Sequence, residues 1–246
     1  MSTRIVFLGS KPIGYQCLQY LLVNKEELDI EIIGLRTRLR KEFGAGNDLT
    51  ELAEQYNIPL LSSLDDIPSC DIIYSVQHHE LLKTEHIAKA ATIAVNLHLA
   101  PLPEYRGCNQ FSFAIMDEAK EFGVTLHELD TRIDHGAILF EKRFPIQQQC
   151  WVNTLYEQTF ENAVQLFQES IKPLLAGQYK KVPQAEYLSQ RATSIHYRNE
   201  IAQLKELDLN QTATEIEKRV RATYMPGFEP PYFLINGEKV YCNVDH

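Results

Sequence analysis

The sequence lacks a long apolar segment and has few cysteines. The apolar run nearest its beginning covers residues 5–8, far short of the roughly 20 residues of a membrane helix and of a signal-peptide core. The five cysteines are widely spread, and no two of them form a C-x-x-C pair. This pattern argues against a zinc site and a disulfide scaffold. We therefore expect a cytoplasmic protein with no metal and no membrane partner.

Basic residues are also scarce. The chain has 24 Lys and Arg against 33 Asp and Glu, a formal net charge of -9. A protein whose main partner is DNA or RNA more often carries a basic stripe, so we expect no nucleic-acid partner. A local cationic pocket for a phosphorylated small molecule remains compatible with this acidity.

The 246 residues are 44% hydrophobic, enough for one substantial core with room for a small second domain. Apolar strand patterns at 4–8, 30–35, 71–76 and 92–97 alternate with helical patterns that end near Val23 and Tyr56. This rhythm predicts an α/β fold with a Rossmann-like, doubly wound, mainly parallel sheet. Further strands at 123–129 and 138–144 and a helix at 153–175 follow, and Gly177 predicts the helix end.

A polar stretch at 179–198 predicts a boundary between a core domain (1–185) and a small carboxyl-terminal part (186–246). That part has a helical pattern at 213–221 and a β-hairpin around Asn236-Gly237, a strong turn signal. Two strands alone are marginally stable in water. We therefore expect the hairpin to pack against a second copy and form a twofold homodimer.

The most informative residues are Asn96 and His98, at the end of the 92–97 strand, with Asp134 after the next strand. Residues two apart on a strand share a face, and open α/β sheets bind ligands at the carboxyl ends of their strands. Asn96 can donate to a developing oxyanion, His98 can handle a proton, and Asp134 can orient the imidazole. The alternative is a buried histidine that merely satisfies strand ends, and spacing alone does not show that Asp134 meets His98.

Three sequence motifs stand in one order here: Asn-x-His with a proline-containing loop and Tyr-Arg-Gly; Gly-Val-Thr-Leu-His; and Asp-x-Gly-Ala-Ile. In order and spacing they resemble the formyltransferases that depend on 10-formyltetrahydrofolate, over roughly residues 4–144. The resemblance implies that Asn96, His98 and Asp134 are the catalytic triad and that the Leu102-Pro103 bond is cis. His135 departs from many relatives, which have a small or hydroxyl residue there.

The resemblance also implies that the co-substrate N10-formyltetrahydrofolate binds beside the triad. The residues expected to line its pocket are Gln77, His78, His79, Tyr105, Arg106 and Asp130. Within the family the sequence most resembles enzymes that act on dTDP-linked amino-dideoxy sugars, which are made for surface polysaccharides such as the lipopolysaccharide O-antigen. We therefore expect formyl transfer to dTDP-4-amino-4,6-dideoxyglucose or its 3-amino relative.

The resemblance further implies that the acceptor site borders the turn from Gly9 to Gly14, where backbone N–H groups and Lys11 can meet a phosphate. This turn lacks the G-x-G-x-x-G and Walker patterns, so a plain tight turn is the alternative. In similar enzymes an aromatic residue of the segment around Tyr224 can cover the nucleotide base, but packing at the helix end explains this segment equally well. The expected acceptor contacts are Ser10, Lys11, Asn109, Gln110, Arg198, Tyr224 and Phe228.

Two other motifs invite different interpretations. The basic loop at 36–41 imitates an NADP 2′-phosphate site, but without the glycine fingerprint a solvated loop is favoured. The pair His78-His79 suggests a metal, but neighbouring side chains are expected to point apart, with no sensibly spaced third ligand.

Rival functions remain open at this point. Methionyl-tRNA formyltransferase is the nearest rival, although those enzymes usually carry a longer RNA-binding tail. Glycinamide ribonucleotide formyltransferase is less favoured because Ser10-Lys11-Pro12-Ile13 replaces its phosphate loop. A catalytically silent nucleotide-binding protein of the same fold and an NADP-dependent reductase are the alternatives from other classes.

Overall fold

The computed structural model describes residues 2–38 and 48–244, so residues 39–41 of the basic loop lie outside the described part. In chain order the strands and helices are β1 (Thr3–Gly9), α1 (Lys11–Val23), α2 (Lys25–Leu28), β2 (Ile30–Arg36), α3 (Leu49–Tyr56), β3 (Cys70–Val76), α4 (Thr84–Ile87), β4 (Ala90–His98), β5 (Arg106–Gly107), α5 (Gln110–Met116), β6 (Glu121–Glu128), β7 (Ile138–Pro145), α6 (Val152–Leu175), β8 (Ile195–His196), α7 (Glu200–Lys205), β9 (Glu206–Leu207), α8 (Ala213–Thr223), β10 (Tyr232–Ile235) and β11 (Glu238–Tyr241).

A six-stranded sheet in the order β2-β1-β3-β4-β6-β7 forms the centre of the molecule. The four strands from β2 to β4 are parallel, whereas β6 is antiparallel to both β4 and β7. Most residues of β1 and β3 are buried in succession because both faces of these strands are covered. The predicted mainly parallel α/β fold is confirmed.

The long helix α6 covers one face of the sheet. Leu155, Phe167 and Ile171 are buried on its inner side, and the Phe167 ring meets Tyr74 of β3 edge-on at 5.3 Å between centroids. Gly177 follows the helix with φ +68° and donates its N–H to the Leu174 carbonyl. A residue in this left-handed conformation ends a helix, so the predicted helix stop is confirmed.

The carboxyl-terminal hairpin forms as its Asn-Gly turn predicts, with Tyr232 opposite Tyr241. The expectation that the hairpin has only two strands within its own chain is wrong, because β9 pairs parallel with β10 and adds a short third strand. A third strand partly satisfies the outer edge that two strands would leave open. The opposite edge strand, β11, still has about half of Val240 and Tyr241 exposed.

The predicted boundary stretch at 179–198 packs closely on the core. Val182 and Ile138 exchange backbone hydrogen bonds of 2.9 and 3.0 Å, and β8 pairs with β5. The division at residue 185 stays a prediction. Among the described residues, no helix combines the length and apolar character needed to cross a bilayer.

Candidate active site

Asn96 and His98 lie at the carboxyl end of β4, between β3 and β6. The antiparallel register places His127 of β6 opposite Asn96 and Thr125 opposite His98. The neighbouring parallel strand pairs Ser75 with Asn96. Because β4 is the last parallel strand, polar side chains of β4 and β6 meet beside the carboxyl edge of the parallel part of the sheet.

Asp134, on the loop between β6 and β7, reaches into this group. Its Oδ2 lies 3.6 Å from His98 Nδ1 and its Oδ1 lies 3.6 Å from His127 Nε2. Only 16% of its side chain is exposed. The structure thus brings Asn96, His98 and Asp134 together, which spacing alone did not show.

A backbone carbonyl fixes the orientation of His98. Its Nε2 lies 2.7 Å from the carbonyl oxygen of Tyr105. A carbonyl oxygen can only accept, so Nε2 carries a hydrogen. The other ring nitrogen, Nδ1, faces Asp134.

His127 is a fourth member of the group, to which the sequence argument gave no role. Its Nδ1 donates to the Glu128 carbonyl at 2.8 Å, and its Nε2 lies 3.2 Å from Asn96 Nδ2. The Asn96 amide therefore donates one hydrogen to His127 and keeps a second one for another acceptor. The signal was the alternation Thr125-x-His127 on the strand that pairs with Asn96.

The surroundings of Asp134 favour its ionised form. Burial alone would raise the pKa of Asp134, but the charge of His98 and the contacts with His127 hold the pKa well below its usual range. The Gly107 N–H also donates to Oδ2 at 2.9 Å. A carboxylate between two imidazoles can hold a proton acceptor in place without itself becoming protonated.

Two of the expected folate residues, Arg106 and Asp130, line a cavity of about 540 Å³ beside this group. Asp130 accepts hydrogen bonds from Arg132 at 3.2 Å and from His135 Nδ1 at 3.1 Å. Tyr105 is buried, and its carbonyl holds His98. The cavity has a carboxylate, a guanidinium and an apolar wall, as a site for a polar heterocycle requires.

Gln77 and Lys11 contact each other at the adjacent strand ends. Lys11 Nζ donates to Gln77 Oε1 at 2.7 Å, and Ser10 Oγ donates to the Gln77 carbonyl at 2.6 Å. Gln77 adopts a left-handed φ of +51°. The expected cofactor residue Gln77 and the expected acceptor residues Ser10 and Lys11 therefore form one polar cluster.

The expectation that no third ligand accompanies His78 and His79 is wrong, because one ligand atom of Glu80 lies within 4.8 Å of theirs. Arg36 already binds that carboxylate, with 2.9 Å between Arg36 Nη2 and Glu80 Oε1. Burial lowers the pKa of His78 to about 4, with a smaller contribution from the charge of His79. At neutral pH the His78 ring is therefore uncharged, and the opposite charges of Arg36 and Glu80 neutralise each other.

The remaining acceptor candidates lie on or near α5, which packs against α8. Asn109 donates its side-chain amide to the Tyr197 carbonyl at 2.9 Å, and Gln110 is buried at the start of α5. Tyr224 meets Trp151 edge-on at 6.3 Å, whereas Arg198 and Phe228 are exposed.

The Leu102-Pro103 bond is cis, as the resemblance implied.

The site combines an amide donor, two imidazoles and a carboxylate beside the carboxyl edge of a parallel sheet. Acyl transfer can use these functional groups. The sequence model of the family described as formyl transferase matches residues 5–171, more than half of the chain. The protein therefore belongs to the formyl transferase family.

Individual relatives divide between two acceptors. The chain is 26% identical over 248 residues to the methionyl-tRNA formyltransferase of Levilactobacillus brevis. The alignment covers 96% of this chain and 76% of the relative. The chain is 27% identical over 173 residues to the GDP-perosamine N-formyltransferase of Brucella melitensis, covering 70% of this chain and 63% of the relative.

Solved structures share the fold. The sugar 3N-formyltransferase WlaRD, crystallised with dTDP and 5-N-formyl-THF, has a TM-score of 0.78 and 24% identity and covers 98% of this chain and 85% of its own. A 4-N formyltransferase from Francisella tularensis has a TM-score of 0.77 and 18% identity, over 99% and 97% of the two chains.

Proposed function

We propose that this enzyme transfers the formyl group of N10-formyltetrahydrofolate to the amine of a dTDP-linked amino-dideoxy sugar. The observation that supports it most strongly is the convergence of Asn96, His98 and Asp134, in a chain of the formyl transferase family. The preferred acceptor is dTDP-4-amino-4,6-dideoxyglucose, destined for a surface polysaccharide such as the lipopolysaccharide O-antigen. The 3-amino isomer is the alternative acceptor.

Asn96 supplies the hydrogen bond to the formyl oxygen. One N–H of its amide is held by His127 Nε2, which leaves the second N–H to meet the oxygen as it gains negative charge. A single donor of this kind is typically worth about 10²–10³ in rate. Its orientation is set before substrate binds, so no reorganisation is needed in the transition state.

His98 and Asp134 handle the proton. The sugar amine attacks the formyl carbon and forms the new C–N bond, while the proton that the amine loses passes to His98 Nδ1. The bond between the formyl carbon and N10 then breaks, and N10 takes up the proton as tetrahydrofolate leaves. Asp134 stays ionised, because its pKa is held well below its usual range, and stabilises the charged imidazole.

The folate pterin occupies the cavity that Arg106 and Asp130 line. A carboxylate at a cavity wall pairs with the amino and ring N–H groups that a pterin presents. Tyr105 contributes indirectly, because its carbonyl holds His98 and the next residue, Arg106, lines the cavity. Gln77, His78 and His79 border the folate from the end of β3, chiefly through backbone groups.

The pyrophosphate of the acceptor binds beside Ser10 and Lys11. A nucleoside diphosphate carries two negative charges and needs cations in an acidic protein, and Lys11 stands at the start of α1, where backbone N–H groups add partial positive charge. Arg198, Asn109 and Gln110 are the further polar contacts. Tyr224 or Phe228 stacks on the nucleobase, a contact typically worth about 1–3 kcal/mol.

The names of relatives support this acceptor class. The WlaRD structure contains dTDP, and the Helicobacter canadensis N-formyltransferase structure contains folinic acid and dTDP-3-aminofucose. The Brucella relative is named for GDP-perosamine, which is likewise an amino sugar linked to a nucleoside diphosphate. We place the enzyme in the cytoplasm as a homodimer; its five cysteines are free, as a reducing compartment favours.

The relatives named methionyl-tRNA formyltransferase favour a second candidate, formylation of charged initiator tRNA. Two arginines of α8 argue against it. Arg219 donates to carbonyls at the end of α7, and Arg221 donates to the Cys150 carbonyl at 3.1 Å. These cations stabilise the protein itself, and the net charge of -9 opposes a polyanionic partner.

Steady-state formylation assays with dTDP-, UDP- and GDP-amino sugars and with charged initiator tRNA test the proposal. We expect one amino sugar to be formylated and His98→Asn to abolish its turnover. The matched control is His86→Gln, which replaces another buried histidine, one that pairs with Asp65. Formylation of tRNA with every amino sugar inert would overturn the sugar assignment, and folate binding without any turnover would indicate a silent binding protein.

A further inference from the structure

The loop of residues 102–109 holds two members of the proposed triad through its backbone. The Tyr105 carbonyl accepts from His98 Nε2 at 2.7 Å, and the Gly107 N–H donates to Asp134 Oδ2 at 2.9 Å. Both contacts come from three consecutive residues. A shift of this short backbone therefore moves the imidazole and the carboxylate together.

A second segment fixes this loop from outside. We define the clamp segment as residues 191–198, which lie beyond the part of the chain that the family model matches. Its strand β8 pairs with β5, with Arg106 opposite Ile195 and Gly107 opposite His196. The Ser194 carbonyl accepts the Arg106 N–H at 3.2 Å, and the His196 carbonyl accepts the Cys108 N–H at 2.8 Å.

Side chains reinforce this pairing. Ser194 Oγ donates to the Glu104 carbonyl at 2.5 Å, and Arg106 Nη2 donates to Thr193 Oγ1 at 2.8 Å. Arg191 donates to the Leu102 carbonyl at 2.9 Å and forms two further 2.9 Å hydrogen bonds with Glu141 of β7. The clamp segment thus ties the loop at both ends and in the middle to a rigid strand of the sheet.

Gly107 shows how tightly the two strands approach. It adopts φ +84°, and a Cβ at this position would collide with the His196 carbonyl oxygen. The left-handed conformation turns the Gly107 N–H toward Asp134 while the clamp segment occupies the other side. Pairing with the clamp segment and holding Asp134 are therefore one backbone arrangement.

From these contacts we infer that the clamp segment positions the catalytic centre, with Ser194 and Arg191 as positioning residues that act through the 102–109 loop. The inference rests on the proposed function, because it assigns the hydrogen-bonding of His98 and Asp134 to formyl transfer. It also gives the carboxyl-terminal part of the chain a role in the chemistry besides acceptor contacts. Without the clamp segment the loop would have to find the same backbone geometry alone, at an entropic cost.

Ser194→Ala is the main test, with Ser194→Thr as the rescuing variant and Ser189→Ala as the matched control on an exposed serine. We expect Ser194→Ala to lower kcat about threefold to tenfold, the worth of one hydrogen bond, with little change in either KM. Ser194→Thr, which keeps a hydroxyl, should restore most of the rate. Arg191→Lys, which keeps the charge but loses the fork, should lower kcat in the same way.

Long-range ¹H–¹⁵N spectra of the imidazoles supply a readout that needs no acceptor. The His98 signal, identified by its loss in His98→Asn, should change in Ser194→Ala and stay unchanged in Ser189→Ala. If Ser194→Ala lowers Tm yet keeps wild-type kcat and an unchanged His98 signal, the clamp segment is only structural and the inference is wrong. If the wild-type enzyme formylates no amino sugar, the proposed function fails while the His98 signal still decides this inference.

Discussion

The Nε2 atom of His98 lies 2.7 Å from the Tyr105 carbonyl oxygen, so this nitrogen is a hydrogen-bond donor and the ring turns its Nδ1 toward Asp134. The same logic applies on the other side of Asp134, where the Glu128 carbonyl holds His127 Nδ1 at 2.8 Å. In each histidine the other ring nitrogen lies 3.6 Å from a different oxygen of the Asp134 carboxylate. Two backbone carbonyls thus fix which nitrogen of each imidazole faces Asp134.

Removal of any member of the triad should lower kcat far more than it weakens folate binding. In the proposed mechanism, Asn96→Ala removes a donor that acts mainly in the transition state, and His98→Asn removes the proton acceptor. Asp134→Asn should be nearly as damaging. Because the three residues act as a unit, a double variant should be little worse than a single one. Steady-state kinetics with folate titration measure both quantities, and near-normal turnover by His98→Asn would refute the assignment.

His127→Phe should lower kcat by up to about 10²-fold, because the Asn96 amide loses the acceptor that orients it. The phenyl ring fills most of the same volume, so the fold should persist. His86→Phe is the matched control, since it replaces another buried histidine that pairs with Asp65. Kinetics and thermal unfolding of both variants separate the effects; equal kcat in the two variants would mean that His127 has only a packing role.

The stability contributed by Asp134 should depend on pH in a defined direction. Its pKa is held well below its usual range in the folded protein, so the carboxylate stabilises the fold above its unfolded pKa of about 4. That contribution is lost as the pH falls from there toward the folded-state pKa. Urea unfolding of wild type and Asp134→Asn should show a difference in unfolding free energy that shrinks under acid conditions. A difference that grows on acidification would contradict the assignment.

The sequence predicted the sheet, the long helix and the hairpin because apolar period and turn residues are local signals. Asp134 was expected from a resemblance, and its approach to His98 depends on a loop whose path no local pattern encodes. His127 was missed because its role arises from the register between β4 and β6. The clamp segment was predicted only as a polar boundary. Its strand pairing with the 102–109 loop uses backbone groups that any residue offers, so no residue type signals it. Glu80 was missed as a neighbour of His78 because irregular loops bring consecutive side chains together.

The carboxyl-terminal hairpin should mediate a homodimer. About half of each apolar side chain of Leu234, Ile235 and Val240 is exposed on β10 and β11, and β11 is an open edge. Light scattering should give about twice the 28.3 kDa chain mass. Val240→Lys places a charge on this edge and should weaken the dimer, whereas Lys239→Arg next to it should not. A monomer at micromolar concentration would refute the dimer.

Lys11 should determine the affinity for the sugar nucleotide. Its Nζ lies 2.7 Å from Gln77 Oε1, which fixes the ammonium group at the start of α1 near the proposed pyrophosphate site. Lys11→Ala should raise the KM for the sugar nucleotide several-fold and leave the KM for folate nearly unchanged. Gln77→Ala is a useful comparison, because it keeps the charge of Lys11 and removes the hydrogen bond between the two side chains. It should therefore raise the KM for the sugar nucleotide by less. If Lys11→Ala changes the folate KM instead, this cluster belongs to the co-substrate and the acceptor phosphates bind elsewhere.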